Sequence, residues 1–146
     1  METQVLNVNV KACYASTQEF GRRLISLGRP GKIINISSVT SFQAGFNTSI
    51  YSTSKGAVMQ MTKAFSNEWA SKGIQVNSIS PGFMETTMTS GYQSDPEMMR
   101  YLMSRVPMQR LGNPDDLQSA VLFLASPANS FVSGITLPVD GGFLGK

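Results

Sequence analysis

KIINIS (Lys32–Ser37), YSTSKGAVMQMTKAFSNEWASK (Tyr51–Lys72) and GIQVNSISPG (Gly73–Gly82) follow one another through the middle of the chain, and their order decides the fold. The first is a short β-branched run set off by the turn residues Gly28-Arg29-Pro30-Gly31, the pattern of a strand. In the second, Val58, Met61, Phe65 and Trp69 recur at steps of three and four, the apolar stripe of a helix from about Tyr51 to Lys72. Gly73 stands just past its end, where helices favour glycine. Ile74 to Ile79 forms a second strand, stopped by Pro81-Gly82. A strand, a long helix and a second strand imply a crossover and parallel pairing. Neither strand alternates cleanly between polar and apolar residues, which suits a sheet covered on both faces.

Working outward, Asn9 to Leu27 reads as a helix marked by Tyr14, Thr17, Leu24 and Ile25, with Gly21 and its β-branched residues as weak points. Asp95 to Arg105 reads as a helix within a longer excursion. Asn113 has the form of an N-cap, with Pro114 at the first helical position and Asp115 and Asp116 at the positive end of the dipole. That helix continues through Leu117, Val121, Phe123 and Leu124, and Ile135 to Val139 is the last strand. Residues 1–146 therefore read as part of one α/β domain, the carboxyl-terminal half of a doubly wound, parallel, Rossmann-type sheet. The first helix has no strand before it, so the chain is expected to begin in mid-fold.

Composition narrows the functions. The net charge of +3 comes without a run of lysine or arginine, so neither nucleic acid nor an acidic membrane surface is an expected partner. No apolar stretch reaches membrane-spanning length, and the start of the chain lacks the basic-then-apolar pattern of a signal peptide. The single cysteine, Cys13, excludes an internal disulfide and is compatible with a reducing, cytoplasmic setting. With no histidine in the sequence, Ser-His-Asp chemistry and the usual zinc sites drop out, and no metal site is expected.

The chemistry-bearing stretch is Tyr51-Ser52-Thr53-Ser54-Lys55. Tyr51 and Lys55 lie one turn apart on one helix face. A free tyrosine, with a pKa of roughly 10, is a poor base at neutral pH. A neighbouring ammonium and a helix amino terminus both favour its phenolate, which equips it to exchange a proton with an alcohol. Alone, this spacing is equally that of a surface tyrosine beside a surface lysine. Ser38, at the end of the first strand and 13 residues before Tyr51, is placed either to hydrogen-bond a reacting oxygen or to satisfy its own loop. Asn9, between Val8 and Val10, reads locally as an N-cap before it reads as a catalytic group.

Taken together, NVN (Asn7–Asn9), KIINISS (Lys32–Ser38), YSTSK (Tyr51–Lys55), GIQVNSISPG (Gly73–Gly82) and VDGG (Val139–Gly142) resemble the short-chain dehydrogenase/reductase family, in order and with its spacing. The resemblance implies an NAD- or NADP-dependent enzyme that interconverts a secondary alcohol and a ketone. It implies Tyr51 as general acid/base, Lys55 as its tuning partner and the holder of the nicotinamide ribose, and Ser38 as the group orienting the substrate. Asn9 would support a water relaying protons to Lys55. Pro81, Gly82 and Thr86 would meet the nicotinamide end of the cofactor, with Thr87 adjacent to Thr86. Family members pair into dimers and tetramers through helices corresponding to Asn9–Leu27 and Tyr51–Lys72, and the small residues Gly56, Ala57, Ala64 and Ala70 suit such packing.

SFQAG (Ser41–Gly45), NEWA (Asn67–Ala70) and RLGNPDDL (Arg110–Leu117) look most like gluconate and deoxygluconate dehydrogenases and fungal keto-sugar or polyol reductases. The expected substrate is a sugar acid, keto-sugar or polyol, with a 3-oxoacyl thioester as the alternative. The methionines between Met84 and Met108 suit either a mobile lid or a loosely packed helix. The family's T-G-x-x-x-G-x-G loop, which holds the pyrophosphate at a helix amino terminus, has no counterpart here. Gly28 and Gly31 precede a strand, and Gly141, Gly142 and Gly145 fall at the chain's end. The N-N-A-G segment and the residue that selects NAD or NADP are likewise missing. About a hundred residues of the family pattern are expected upstream of Met1. The alternative to an enzyme is a truncated, inactive chain acting only through subunit pairing.

Overall fold

A computed structural model describes residues 2–146, apart from the side chains of Met88 and Tyr92. The α-helix α1 (Glu2–Leu6) runs directly into a π-helical segment, Asn7–Ala12, and on into α2 (Cys13–Ser26). Strand β1 (Gly31–Ile36) leads through a 3-10 turn, Val39–Ser41, to the long helix α3 (Ser49–Trp69). A 3-10 turn, Ala70–Lys72, closes α3, and β2 (Ile74–Pro81) follows. The excursion beyond it holds the 3-10 turn Thr87–Thr89, α4 (Ser90–Gln93) and α5 (Pro96–Arg105). A 3-10 turn, Pro114–Leu117, opens α6 (Gln118–Ala125), and β3 (Thr136–Val139) and a last 3-10 turn, Phe143–Gly145, end the chain.

The three strands form one sheet in the order β1-β2-β3, parallel throughout. Gly31 pairs with Ile74 and Ile36 with Ile79, while Ser78 to Pro81 pair with Thr136 to Val139. Both faces are covered. Ile33, Ile74 and Val76 pack with Leu24 of α2 and the α3 stripe Val58, Met61, Phe65 and Trp69. On the other face Ile79 packs with Ala120 and Leu124 of α6, with Ile34, Leu117 and Leu137 against them. A third cluster, Val39, Val106 and Phe143 with Phe83 and Leu144, lies beyond the carboxyl ends of the strands.

Most expected elements appear within a residue or two of their expected bounds. Gly73 takes the left-handed conformation (φ 75°) that ends a helix. Asn113 caps as expected, its side chain accepting from Asp115 N while that of Asp116 accepts from Asn113 N. The first helix is the exception. It begins at Glu2, so Asn9 lies within a continuous helical run and is not an N-cap. Packing against α3 overrides the local preference of asparagine for a helix start. The methionine-rich segment is folded: Met84 is buried and bridges to Gly112, and Met98, Met99 and Met103 lie on α5.

Candidate active site

Strand β1 hands the chain to Ser37 and Ser38, both buried. The Ser38 hydroxyl accepts from the Thr40 amide at 3.2 Å and caps the turn Val39–Ser41. From there the chain rises to Thr48, whose hydroxyl donates to the Gly45 carbonyl at 2.8 Å and lies 2.9 Å from the Ser52 hydroxyl. These bonds fix the start of α3, so Tyr51 falls in its first turn and Lys55 in its second. The Lys55 Nζ lies 5.8 Å from the centre of the Tyr51 ring and donates to the Ile36 carbonyl at 3.0 Å. Burial lowers the Lys55 pKa from its ordinary value, and the charge of the Cys13 thiolate across the helix pair acts the opposite way. Burial likewise raises the pKa of Cys13, against the hydrogen bond from Thr17 and the charge of Lys55.

The far wall comes from the end of β2. Gly82 N donates to the Val139 carbonyl at 3.0 Å. A Cβ at Gly82 would lie 2.7 Å from the Asp140 Cα, so only glycine lets the Pro81-Gly82 turn sit this close to Asp140. Asp140 is fixed in turn, its carboxylate accepting from Gly142 N and Leu144 N at 2.9 Å each. Beyond the turn, the Thr89 hydroxyl donates to the Met84 carbonyl at 2.6 Å and accepts from Thr86 N at 3.0 Å.

Ser38, Tyr51, Lys55, Pro81, Gly82 and Thr86 thus line one cavity of about 540 Å³. Thr87 lines it too, so the structure makes no choice between the two threonines. Asn9 does not line it. Its side chain donates to the Ser54 hydroxyl at 3.0 Å, and Ser54 donates to the Tyr51 carbonyl at 2.6 Å. Ser54 and Thr48 are the residues that reading the sequence passed over. Ser54 stands inside the YSTSK motif, but its contact with Asn9 depends on two helices meeting and leaves no local signal. Among the described residues no cluster of His, Cys, Asp and Glu is arranged to hold a metal ion. The cavity's mix of lysine, hydroxyls and a glycine turn fits the nicotinamide-ribose end of a dinucleotide.

A cavity beyond the carboxyl ends of parallel strands that are covered on both faces puts the molecule in the doubly wound, Rossmann-type class of α/β folds. A family model described as enoyl-(acyl carrier protein) reductase matches residues 2–144. The chain belongs to the short-chain dehydrogenase/reductase family. It is 43% identical over 142 residues to 2-dehydro-3-deoxy-D-gluconate 5-dehydrogenase of Dickeya dadantii, covering 97% of this chain and 56% of that protein. Galactitol 2-dehydrogenase (L-tagatose-forming) of Cereibacter sphaeroides is 41% identical, over 96% of this chain and 56% of its own length. Gluconate 5-dehydrogenase of Burkholderia cenocepacia, solved in complex with NADP and tartrate, superposes with a TM-score of 0.96 at 39% identity, over 99% of this chain and 56% of that one. The chain therefore spans about half the length of the relatives it matches.

Proposed function

We propose that the protein carrying this chain interconverts a secondary alcohol and a ketone with NAD or NADP, on a sugar acid, keto-sugar or polyol. The observation that carries the proposal is the convergence of Ser38, Tyr51 and Lys55 with the Pro81-Gly82 turn and Thr86 on one cavity. The nicotinamide, when bound, accepts or returns the hydride. Tyr51 takes the alcohol proton, or gives one to the forming alkoxide. The Ser38 hydroxyl holds the same oxygen and stabilises its developing charge. Lys55 binds the ribose hydroxyls, and Asn9 supports a water that returns protons to Lys55. Thr86 and the backbone of Pro81 and Gly82 orient the nicotinamide ring.

The 146 residues are read as the carboxyl-terminal part of one Rossmann-type domain, with the pyrophosphate and adenosine held by chain outside them. We place the protein in the cytoplasm as a dimer or tetramer, with α2 and α3 packed against their symmetry mates. The sugar-acid and polyol names of the relatives favour that substrate class, while the acyl-carrier description of the family model keeps 3-oxoacyl thioesters as the competitor.

The test is a panel of keto-sugars, sugar acids, polyols and acetoacetyl thioesters, assayed with both cofactors on the protein expressed from its own gene. The highest kcat/KM is expected within the sugar group, and preference for the thioester reverses the assignment. Tyr51→Phe keeps the ring and loses only the transferable proton. It should abolish turnover, and activity within about threefold of the parent would remove Tyr51 from its role.

A further inference from the structure

Ser54 is completely buried and does not line the cavity. Its hydroxyl donates its one proton to the Tyr51 carbonyl and accepts from the Asn9 side chain. The first bond runs back along α3 to the residue three positions earlier. Such back-bonding shares a carbonyl with the helix ladder, here that of Tyr51 at the head of the turn to Lys55. The second bond crosses to the π-helical segment Asn7–Ala12. A π segment inserts an extra residue per turn, and such segments are frequent at functional sites. Farther from the cavity the same helix pair is tied through Asn35 of β1, which accepts from Thr17 at 3.0 Å and donates to Thr62 at 3.1 Å. Ser54 is thus the cavity-side end of a polar seam between the first helical run, from the π segment into α2, and α3, in a face otherwise closed by apolar packing.

We propose that Ser54 is a positioning residue: it fixes the Tyr51–Lys55 turn relative to Asn9 and acts on proton transfer only through them. It touches neither substrate nor cofactor. The proposal rests on the dehydrogenase reading above. An alanine at this position keeps helix propensity and leaves almost no cavity, so the variant is expected to fold. It leaves the Asn9 amide facing a methyl group and releases the Tyr51 carbonyl to the helix ladder alone.

The test has two readouts on the protein expressed from its own gene. The first is a double-mutant cycle with Asn9→Ala, Ser54→Ala and both together, assayed on whichever substrate the panel identifies. Ser54→Ala should lower kcat about tenfold, on the scale of one lost hydrogen bond, with KM for substrate and cofactor within about twofold. If Ser54 acts through Asn9, the double variant is no slower than the slower single one. Losses that multiply, a parental kcat in Ser54→Ala, or a loss confined to KM overturn the proposal. The second readout is amide hydrogen exchange without cofactor. Ser54→Ala should speed exchange in residues 7–12 and 51–55 by about tenfold or more while the rest of the sheet keeps its protection. No local change overturns the link, even where a silent panel has already ended the dehydrogenase reading.

Discussion

At position 21 only a hydrogen fits. The Trp69 ring stacks on Phe65 with centroids 4.4 Å apart, and its other edge lies so close to α2 that a Cβ at Gly21 would be 2.2 Å from the ring. From the sequence, Gly21 counted against the helix, because glycine costs about 1 kcal/mol relative to alanine there. The tertiary contact gives it the opposite meaning: it is the notch that admits the largest side chain of the core. Gly21→Ala should therefore destabilise the protein by about 1–3 kcal/mol despite its better helix propensity. Urea denaturation at constant m-value measures this, and a gain in stability would show that Trp69 moves aside freely. Asn9 teaches the same lesson. Its residue type and its neighbours point to a cap, and only the arrival of Ser54 from another helix reveals its partner. By contrast Ser38, Tyr51 and Lys55 were legible because a motif fixes them at the end of one strand and the start of the next helix.

The entry to α6 shows how an element can be legible from its first residues. Asn113, Pro114 and the two aspartates form a reciprocal cap, and the Arg110 guanidinium grips Asp116 with both terminal nitrogens, one at 2.6 Å and the other at 3.0 Å. Those hydrogen bonds, the Arg110 pair first and the Asn113 amide second, hold the Asp116 carboxyl at about 2, below its ordinary 3.8. Because the folded pKa is depressed, the stabilisation is complete above the ordinary value and disappears as pH falls through about 2. Asp116→Asn should lower the Tm at about pH 5, and the parent and variant melting curves should converge as pH approaches 2. Parallel curves over that interval would mean that the clamp contributes nothing. The π-helical segment is the counter-example at this scale. Its sequence, two asparagines and two valines followed by Lys11 and Ala12, carries no pattern that marks a π segment.

Considered whole, the molecule carries apolar surface in several places among the described residues. Val8 and Phe20 are more than half exposed on the first helical run, Ile36 is half exposed at the end of β1, and Leu122, Phe123 and Phe131 stand out around α6. β1 pairs only with β2 among the described residues, leaving a strand edge with no partner. The parallel order and the two covered faces could be read from the alternation of strands and helices. What covers these surfaces could not, since a surface residue's pattern does not name its neighbour. The 146-residue polypeptide made alone should therefore self-associate at micromolar concentration in sedimentation. If the pyrophosphate and adenosine are held by chain outside these residues, as proposed above, it should bind NAD(H) and NADP(H) no tighter than about millimolar by calorimetry. Two or three absent charge-assisted bonds of roughly 1.5–3 kcal/mol each suffice for that loss. A monomer, or a micromolar dissociation constant, contradicts the expectation.

The contact between Gly82 and Asp140 has a consequence for how this sequence can change by descent. The two positions are far apart in the chain yet compete for one volume, and the constraint falls on position 82, because the Cα, Cβ and carbonyl oxygen it would strike are present whatever the side chain at position 140. A lineage cannot place a side chain at position 82 while the Asp140 backbone holds its place. Asp140 in turn is tied by its carboxylate to the amides of Gly142 and Leu144. Phe83, Thr86 and Thr87 line the same cavity without sharing that constraint, so its wall is freer to change there.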